Sequence, residues 1–98
     1  MLLDSRHHLI RLSPIAIGSL SASLVHPREL FKEAIAASAA AVIIAHNHPS
    51  GDPEPSDHDL VLTKRLVQAG KLLGIEVLDH LILASRGTVS LKARGVIA

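Results

Sequence analysis

Between Leu9 and Leu24 the chain mixes Ile, Leu, Val and Ser, and Leu9, Ile10, Leu12, Ile15 and Ile17 follow a mostly period-two pattern broken at Pro14. Alternation of this kind predicts a strand with a kink or bulge. From Pro27 the period changes. Proline suits the first turn of a helix, where its missing N–H would be unpaired anyway, and Leu30, Phe31, Ala34, Ile35 and Ser38 recur at helical spacing. This helix should end near Ser38. Ala40 to Ala45 is a short unbroken apolar run, predicting a strand covered on both faces whose C-terminal end delivers His46 and His48.

Three Pro, one Gly and two acids between Pro49 and Pro55 require a loop. Ser56 and Asp59 then have the spacing of a capping box, opening a second helix with a buried stripe of Leu60, Thr63, Leu66, Val67, Gly70 and Leu73. Gly74 is placed as its left-handed cap. Ile75 to Leu83 predicts another strand, interrupted by Asp79 and His80, and Arg86 and Gly87 turn the chain into a last strand, Thr88 to Lys92. The order strand, helix, strand, helix, strand, strand predicts one α/β domain over residues 1–98, a mixed sheet with helices packed on it. Leu2 and Leu3 open the chain as though entering a strand already under way, and we expect a segment upstream of them.

Composition narrows the chemistry. Ninety-eight residues fit a single module, and a formal charge of +1 gives none of the basic excess by which nucleic-acid binders neutralise phosphates. Phe31 is the only aromatic residue, so base-stacking platforms are missing too. No run approaches the roughly 20 apolar residues of a membrane span and no signal-peptide pattern opens the chain, which leaves the cytoplasm as the expected location. Cysteine is absent, so any metal must sit on His, Asp, Glu or water. Seven histidines are the unusual component.

His46 and His48 form an H-x-H at a strand end, where residues i and i+2 share a face. Asp59, eleven positions after His48 in the first turn of the second helix, can swing back toward the same point. Two imidazoles, one carboxylate and a fourth position left for water are the coordination of a catalytic zinc. The plainer alternative is a pair of loop histidines beside a helix cap formed by Asp59. Asp79 and His80 could form a pair behind the metal ligands, or simply a hydrogen-bonded pair in a strand. His26 is read as a cap of the first helix or, second, as a residue lining the cleft, His7 and His8 as a solvated turn, His58 as exposed, and Lys64, Arg65 and Lys71 as the outer face of the second helix.

The series His46, Asn47, His48, seven residues, Ser56, two residues, Asp59 resembles the H-S/T-H-x7-S-x2-D part of the JAMM (MPN+) metalloprotease motif. The wording is closer still to RadC-like proteins, through VHPREL from Val25, AAAVIIAHNHPSG from Ala39, HNHPSGDPEPS from His46 and LLGIEVLDH from Leu72. The resemblance covers nearly the whole chain. It implies a cytidine deaminase-like three-layer α/β fold, Zn2+ on His46, His48 and Asp59, and attack of an activated water on a peptide or isopeptide bond of an unidentified substrate. It further implies that Ser56 supports the tetrahedral intermediate. Asn47 stands where JAMM sequences have Ser or Thr, and its side chain is expected to tie the turn.

One departure matters. JAMM hydrolysis needs an upstream Glu as general base and then acid, but no acidic residue lies between Asp4 and Glu29, and Ser13 and Pro14 stand where acids are expected. Glu29 is the weak substitute, beside Arg28 in a helical first turn where favouring the helix dipole is the simpler role. Asp52 and Glu54 are weaker still, in a loop without evident constraint. An inactive interaction module therefore competes with the hydrolase, and the DNA-repair label traditional for RadC gives a third reading that the charge does not support. A nucleobase deaminase, which the shared fold would suggest, is disfavoured because the usual H-x-E with P-C-x-x-C cannot be built without cysteine. An exposed sheet edge could pair two copies as a homodimer.

Overall fold

The structure is a computed structural model, and it describes residues 1–12 and 27–97. The predicted strand beyond Leu12, the positions Ser13 and Pro14, and His26 lie outside the described residues.

The chain starts with a short hairpin, β1 (Leu2–Leu3) and β2 (Leu9–Arg11). Asp4 holds its turn: the carboxylate accepts from the N–H groups of Arg6 and His8 at 2.8 and 2.9 Å, while His7 sits at φ 63°. Helix α1 (Pro27–Ala36) begins at the proline the sequence places there. It buries Leu30, Phe31 and Ala34 but leaves Ile35 half exposed, because one face of so short a helix meets the core. Ser38, at φ 54°, takes the left-handed position that ends the helix, and the Ala39 N–H returns to the Ala34 carbonyl at 2.9 Å. Strand β3 (Ala41–Asn47) runs two residues further than expected; only Ala41 and Val42 are buried, while Ala45 is exposed, so its cover is complete only at the start.

Helix α2 (Asp57–Leu73) leads to β4 (Glu76–Ala84) and β5 (Gly87–Ser90). The sheet order is β2-β1-β3-β4-β5, with β3 and β4 parallel and the other pairs antiparallel. This is the mixed α/β sheet expected, and α2 is the crossover between the two parallel strands. The core gathers Leu2, Phe31, Val42, Leu66, Ile82 and Leu91 between sheet and helices. Leu62 belongs to the buried stripe of α2, whereas Leu73 is half exposed at the helix's last turn. Gly74 caps α2 at φ 73°, its N–H bonded to the Gly70 carbonyl. Gly70 itself is required by proximity: a Cβ there would run into the Ile75 carbonyl oxygen. No helix among the described residues is long and apolar enough to cross a membrane.

One irregularity decides which side chains of β4 face α2. The register pairs Val42 with Val77 and then Ile43 with Asp79, so Leu78 is an extra residue on β4. A one-residue bulge reverses the inward phase of the strand beyond it. Val77 faces inward before it, and His80 and Ile82 face inward after it; without the bulge, Asp79 would have entered the core.

Candidate metal centre

The parallel pairing places Ile44 beside His80 and His46 beside Ile82, so beyond the bulge the even-numbered side chains of both strands form one face under α2. At the end of β3 the His48 N–H bonds to the Leu83 carbonyl at 2.9 Å, which keeps the chain in line with β4 for one more residue. His46 and His48 consequently project to the same side, with ring centroids 4.9 Å apart. The chain then turns sharply. Gly51, at φ 85°, packs so tightly that a Cβ would meet the Ser85 hydroxyl at 2.7 Å, and the Gly51 carbonyl accepts from the Arg86 N–H.

The capping box fixes the third donor. Ser56 Oγ accepts from the Asp59 N–H at 3.1 Å, and Asp59 Oδ2 accepts from the Ser56 N–H at 2.8 Å. Each bond satisfies an amide that a helix start would otherwise leave unpaired. The aspartate is almost wholly buried and its carboxylate lies against both histidines, Oδ2 at 3.0 Å from His48 Nε2 and Oδ1 at 3.4 Å from His46 Nε2. One donor atom from each of the three residues falls within 4.8 Å of the others. Donors bonded to one tetrahedral zinc at about 2.0–2.2 Å are separated by roughly 3.3–3.6 Å; the two histidine–carboxylate distances lie near that, while the set as a whole is looser, spanning up to 4.8 Å.

Protonation states suit a cation as well. Burial lowers the His46 pKa, with His48 adding to the effect and Asp59 opposing it. Burial by itself would raise the Asp59 carboxyl, but hydrogen bonds from Ser56 and the neighbouring imidazoles carry it below the usual carboxylate value. Near neutral pH the cluster therefore presents a neutral imidazole on His46 and an ionised carboxylate, the forms in which these groups bind metals. His48 Nδ1 lies 3.0 Å from the Asp52 carbonyl and its Nε2 lies 3.0 Å from Asp59 Oδ2, so both ring nitrogens face acceptors. His46 Nε2 is buried and has no hydrogen-bond partner among the described residues. A buried polar atom without a partner is costly unless something else engages it, and a metal ion shared with His48 and Asp59 would do so. The residues present fit the group.

Other expected residues sit differently. Ser56 is exposed; its Oγ accepts from the Asp59 N–H, and its side chain also hydrogen-bonds the Asp59 carboxylate. Glu29 is exposed in the first turn of α1 and takes no part in the hydrogen bonds of the cluster. The loop acids are constrained, contrary to expectation. Glu54 pairs with Arg94 through both carboxylate oxygens at 2.5 and 3.2 Å, and that contact lowers its pKa. Asp52 accepts from the Glu54 N–H at 3.0 Å. Asn47 is exposed and its side chain makes no hydrogen bond among the described residues; the turn is tied instead by backbone bonds from His48, Gly51 and Arg86.

Asp79 and His80 are not a side-chain pair. Adjacent on a strand, they face opposite ways: Asp79 accepts from the Ser90 hydroxyl at 2.6 Å and from the N–H groups of His80 and Lys92, tying β4 to the turn after β5. His80 is fully buried and lies behind the cluster, its Nε2 at 2.7 Å from His46 Nδ1 and its Nδ1 at 2.6 Å from Thr63 Oγ1. Burial, reinforced by His46, lowers its pKa to about 4, so it is neutral at physiological pH. A histidine inside the apolar run from Val77 to Leu83 was the signal for this residue, but its contact with His46 spans 34 positions. His7, His8 and His58 are exposed, as are Lys64, Arg65 and Lys71.

A mixed α/β sheet whose strand end and helix start bring two histidines and an aspartate together defines a candidate metal-binding domain. The chain belongs to the RadC-like JAB domain family, whose family model matches residues 1–96. It is 54% identical over 97 residues to a UPF0758 protein of Desulforamulus reducens, 56% over 96 residues to one of Shouchella clausii, and 57% over 95 residues to one of Alkaliphilus metalliredigens. These matches cover 97–99% of this chain but 41–43% of the relatives, so the chain spans about two-fifths of their length.

Proposed function

We propose that this chain is a zinc-binding JAMM-type hydrolase domain of cytidine deaminase-like fold, acting on a peptide or isopeptide bond. The observation that carries the proposal is the buried Nε2 of His46, without a hydrogen-bond partner among the described residues, in the same small volume as His48 Nε2 and the Asp59 carboxylate. His46, His48 and Asp59 would hold the ion. When bound, zinc would supply a Lewis acid for an acyl carbonyl and would lower the pKa of a water to about 7. The chain's own part is to hold the three donors together, with His46 neutral and Asp59 ionised, beside the exposed Ser56. Its exposed hydroxyl would turn its proton from the Asp59 carboxylate to an oxyanion developing on a substrate carbonyl.

A second reading, an interaction module of low catalytic power, is favoured by the acids around the site. Asp59 is committed as a donor, Glu54 to Arg94, and Glu29 is exposed in α1 where it favours the helix dipole. Loss of a general base typically removes about 10²–10⁴ in rate. Elemental mass spectrometry on metal-replete, desalted protein tests the proposal: we expect near one zinc per chain, lost in His46→Ala. No zinc in the unmodified protein would overturn the metal site. Zinc bound without chelator-sensitive cleavage of any member of a peptide and isopeptide panel would favour the interaction module.

A further inference from the structure

We infer that Thr63 and His80 are positioning residues that set the tautomer of His46, so that its Nε2 presents a lone pair to the metal position. The inference deepens the proposed metal site and rests on that reading, but its starting point is the direction of three hydrogen bonds.

Thr63 Oγ1 lies 2.8 Å from the Asp59 backbone carbonyl and 2.6 Å from His80 Nδ1. A carbonyl oxygen can only accept, and a threonine hydroxyl has a single proton. That proton is therefore given to Asp59 O, and Oγ1 must accept from His80 Nδ1–H. A neutral imidazole protonated on Nδ1 has its lone pair on Nε2, and His80 Nε2 lies 2.7 Å from His46 Nδ1. His46 must then be the donor, carrying its proton on Nδ1 and its lone pair on Nε2. This is the atom that is buried and without a hydrogen-bond partner, 3.4 Å from Asp59 Oδ1.

The chain of bonds starts and ends on one residue. Asp59 anchors the threonine proton through its backbone carbonyl and supplies the acidic donor through its side chain, so helix α2 fixes the orientation of a histidine on β3 through one on β4. The β4 bulge at Leu78 makes this connection by turning His80 rather than Asp79 inward. Metal-bound histidines generally need their second nitrogen held in this way, and loss of the partner typically weakens metal binding about 10–100-fold.

The test has two readouts. In metal-free protein, two-dimensional 15N–1H spectra of the histidine rings should show His46 protonated on Nδ1, and Thr63→Val should shift it toward a mixture of tautomers. Zinc affinity, measured by competition with a chromophoric chelator, should fall about 10–100-fold in Thr63→Val and in His80→Phe. Thr63→Ser, which restores the hydroxyl, should return both readouts to near those of the unmodified chain. A purely structural role would lower the unfolding temperature of Thr63→Val without moving the tautomer. An Nε2-protonated His46 in the unmodified protein, or unchanged zinc affinity in a folded Thr63→Val, would overturn the inference. Because the tautomer is read without metal, a protein that fails to bind zinc would refute the metal site while leaving the tautomer assignment to stand or fall by its own spectrum.

Discussion

Replacing Asp59 separates its structural role from its chemical one. The carboxylate accepts the Ser56 N–H at 2.8 Å and occupies the first turn of α2, so Asp59→Ala removes one capping-box bond and one favourable charge–dipole interaction. The first is worth about 0.5–1.5 kcal/mol and the second about 0.3–1 kcal/mol. With a chelator present at pH 7, Asp59→Ala should lose about 1–2 kcal/mol, which in a domain of this size lowers the melting temperature by roughly 4–16 °C. Asp59→Asn keeps an oxygen for the Ser56 amide and can turn its NH2 toward His46 Nε2, the buried atom without a partner. Its metal-free stability should therefore lie within about 1 kcal/mol of the unmodified chain. In their response to zinc the two variants should be alike. The unmodified protein should gain about 2.7 kcal/mol at free zinc 100 times the dissociation constant, and neither variant should gain measurably, because each lacks the charged donor. Thermal melts with and without zinc, alongside elemental analysis, read both effects. Zinc-dependent stabilisation of Asp59→Asn equal to that of the unmodified chain would refute the ligand role, and metal-free Asp59→Ala as stable as the unmodified chain would refute the capping role.

Acid should weaken the fold through His80. Its folded pKa of about 4 lies below the ordinary histidine value of 6.5, so the unfolded chain binds the extra proton first. This stability is complete above pH 6.5 and is lost as pH falls toward 4, on the order of 3 kcal/mol in all; urea midpoints in chelator that stay flat over this window would contradict it. Gly70→Ala should destabilise by about 1–3 kcal/mol despite the better helix propensity of alanine, because the new Cβ runs into the Ile75 carbonyl oxygen, and an unchanged or raised urea midpoint would count against that close approach. If hydrolysis is detected, Glu54→Gln should leave kcat within a few-fold, since Arg94 already holds that carboxylate. Glu29→Gln decides the other candidate, and a fall of 100-fold or more in kcat would make it the base.

Local chemistry was legible along the chain. Pro27 opens α1, the Ser56 and Asp59 capping box opens α2, Gly74 closes it, and the apolar run from Ala41 precedes the two histidines, each within one element or one turn of its cause. The ordered motifs around His46, His48, Ser56 and Asp59 also carried the family, because they lie within 14 consecutive residues. The details that differ depend on partners far along the chain. Which face of α1 and α2 meets the sheet left Ile35 and Leu73 outside and brought Leu62 in. Arg94 reached Glu54 across 40 positions and removed the freedom expected of that loop.

The sequence by itself located both helices, the strands from β3 onward and the residues gathered in the candidate site, since periodicity, caps and motif spacing are short-range properties. Tertiary structure decided the direction of protons and side chains. Leu78 has no partner in the β3 register, so the strand bulges there, Asp79 turns away and His80 turns inward beneath His46. No local pattern in β4 encodes that choice, because a bulge is fixed by the pairing of two strands and by the helix packed across them.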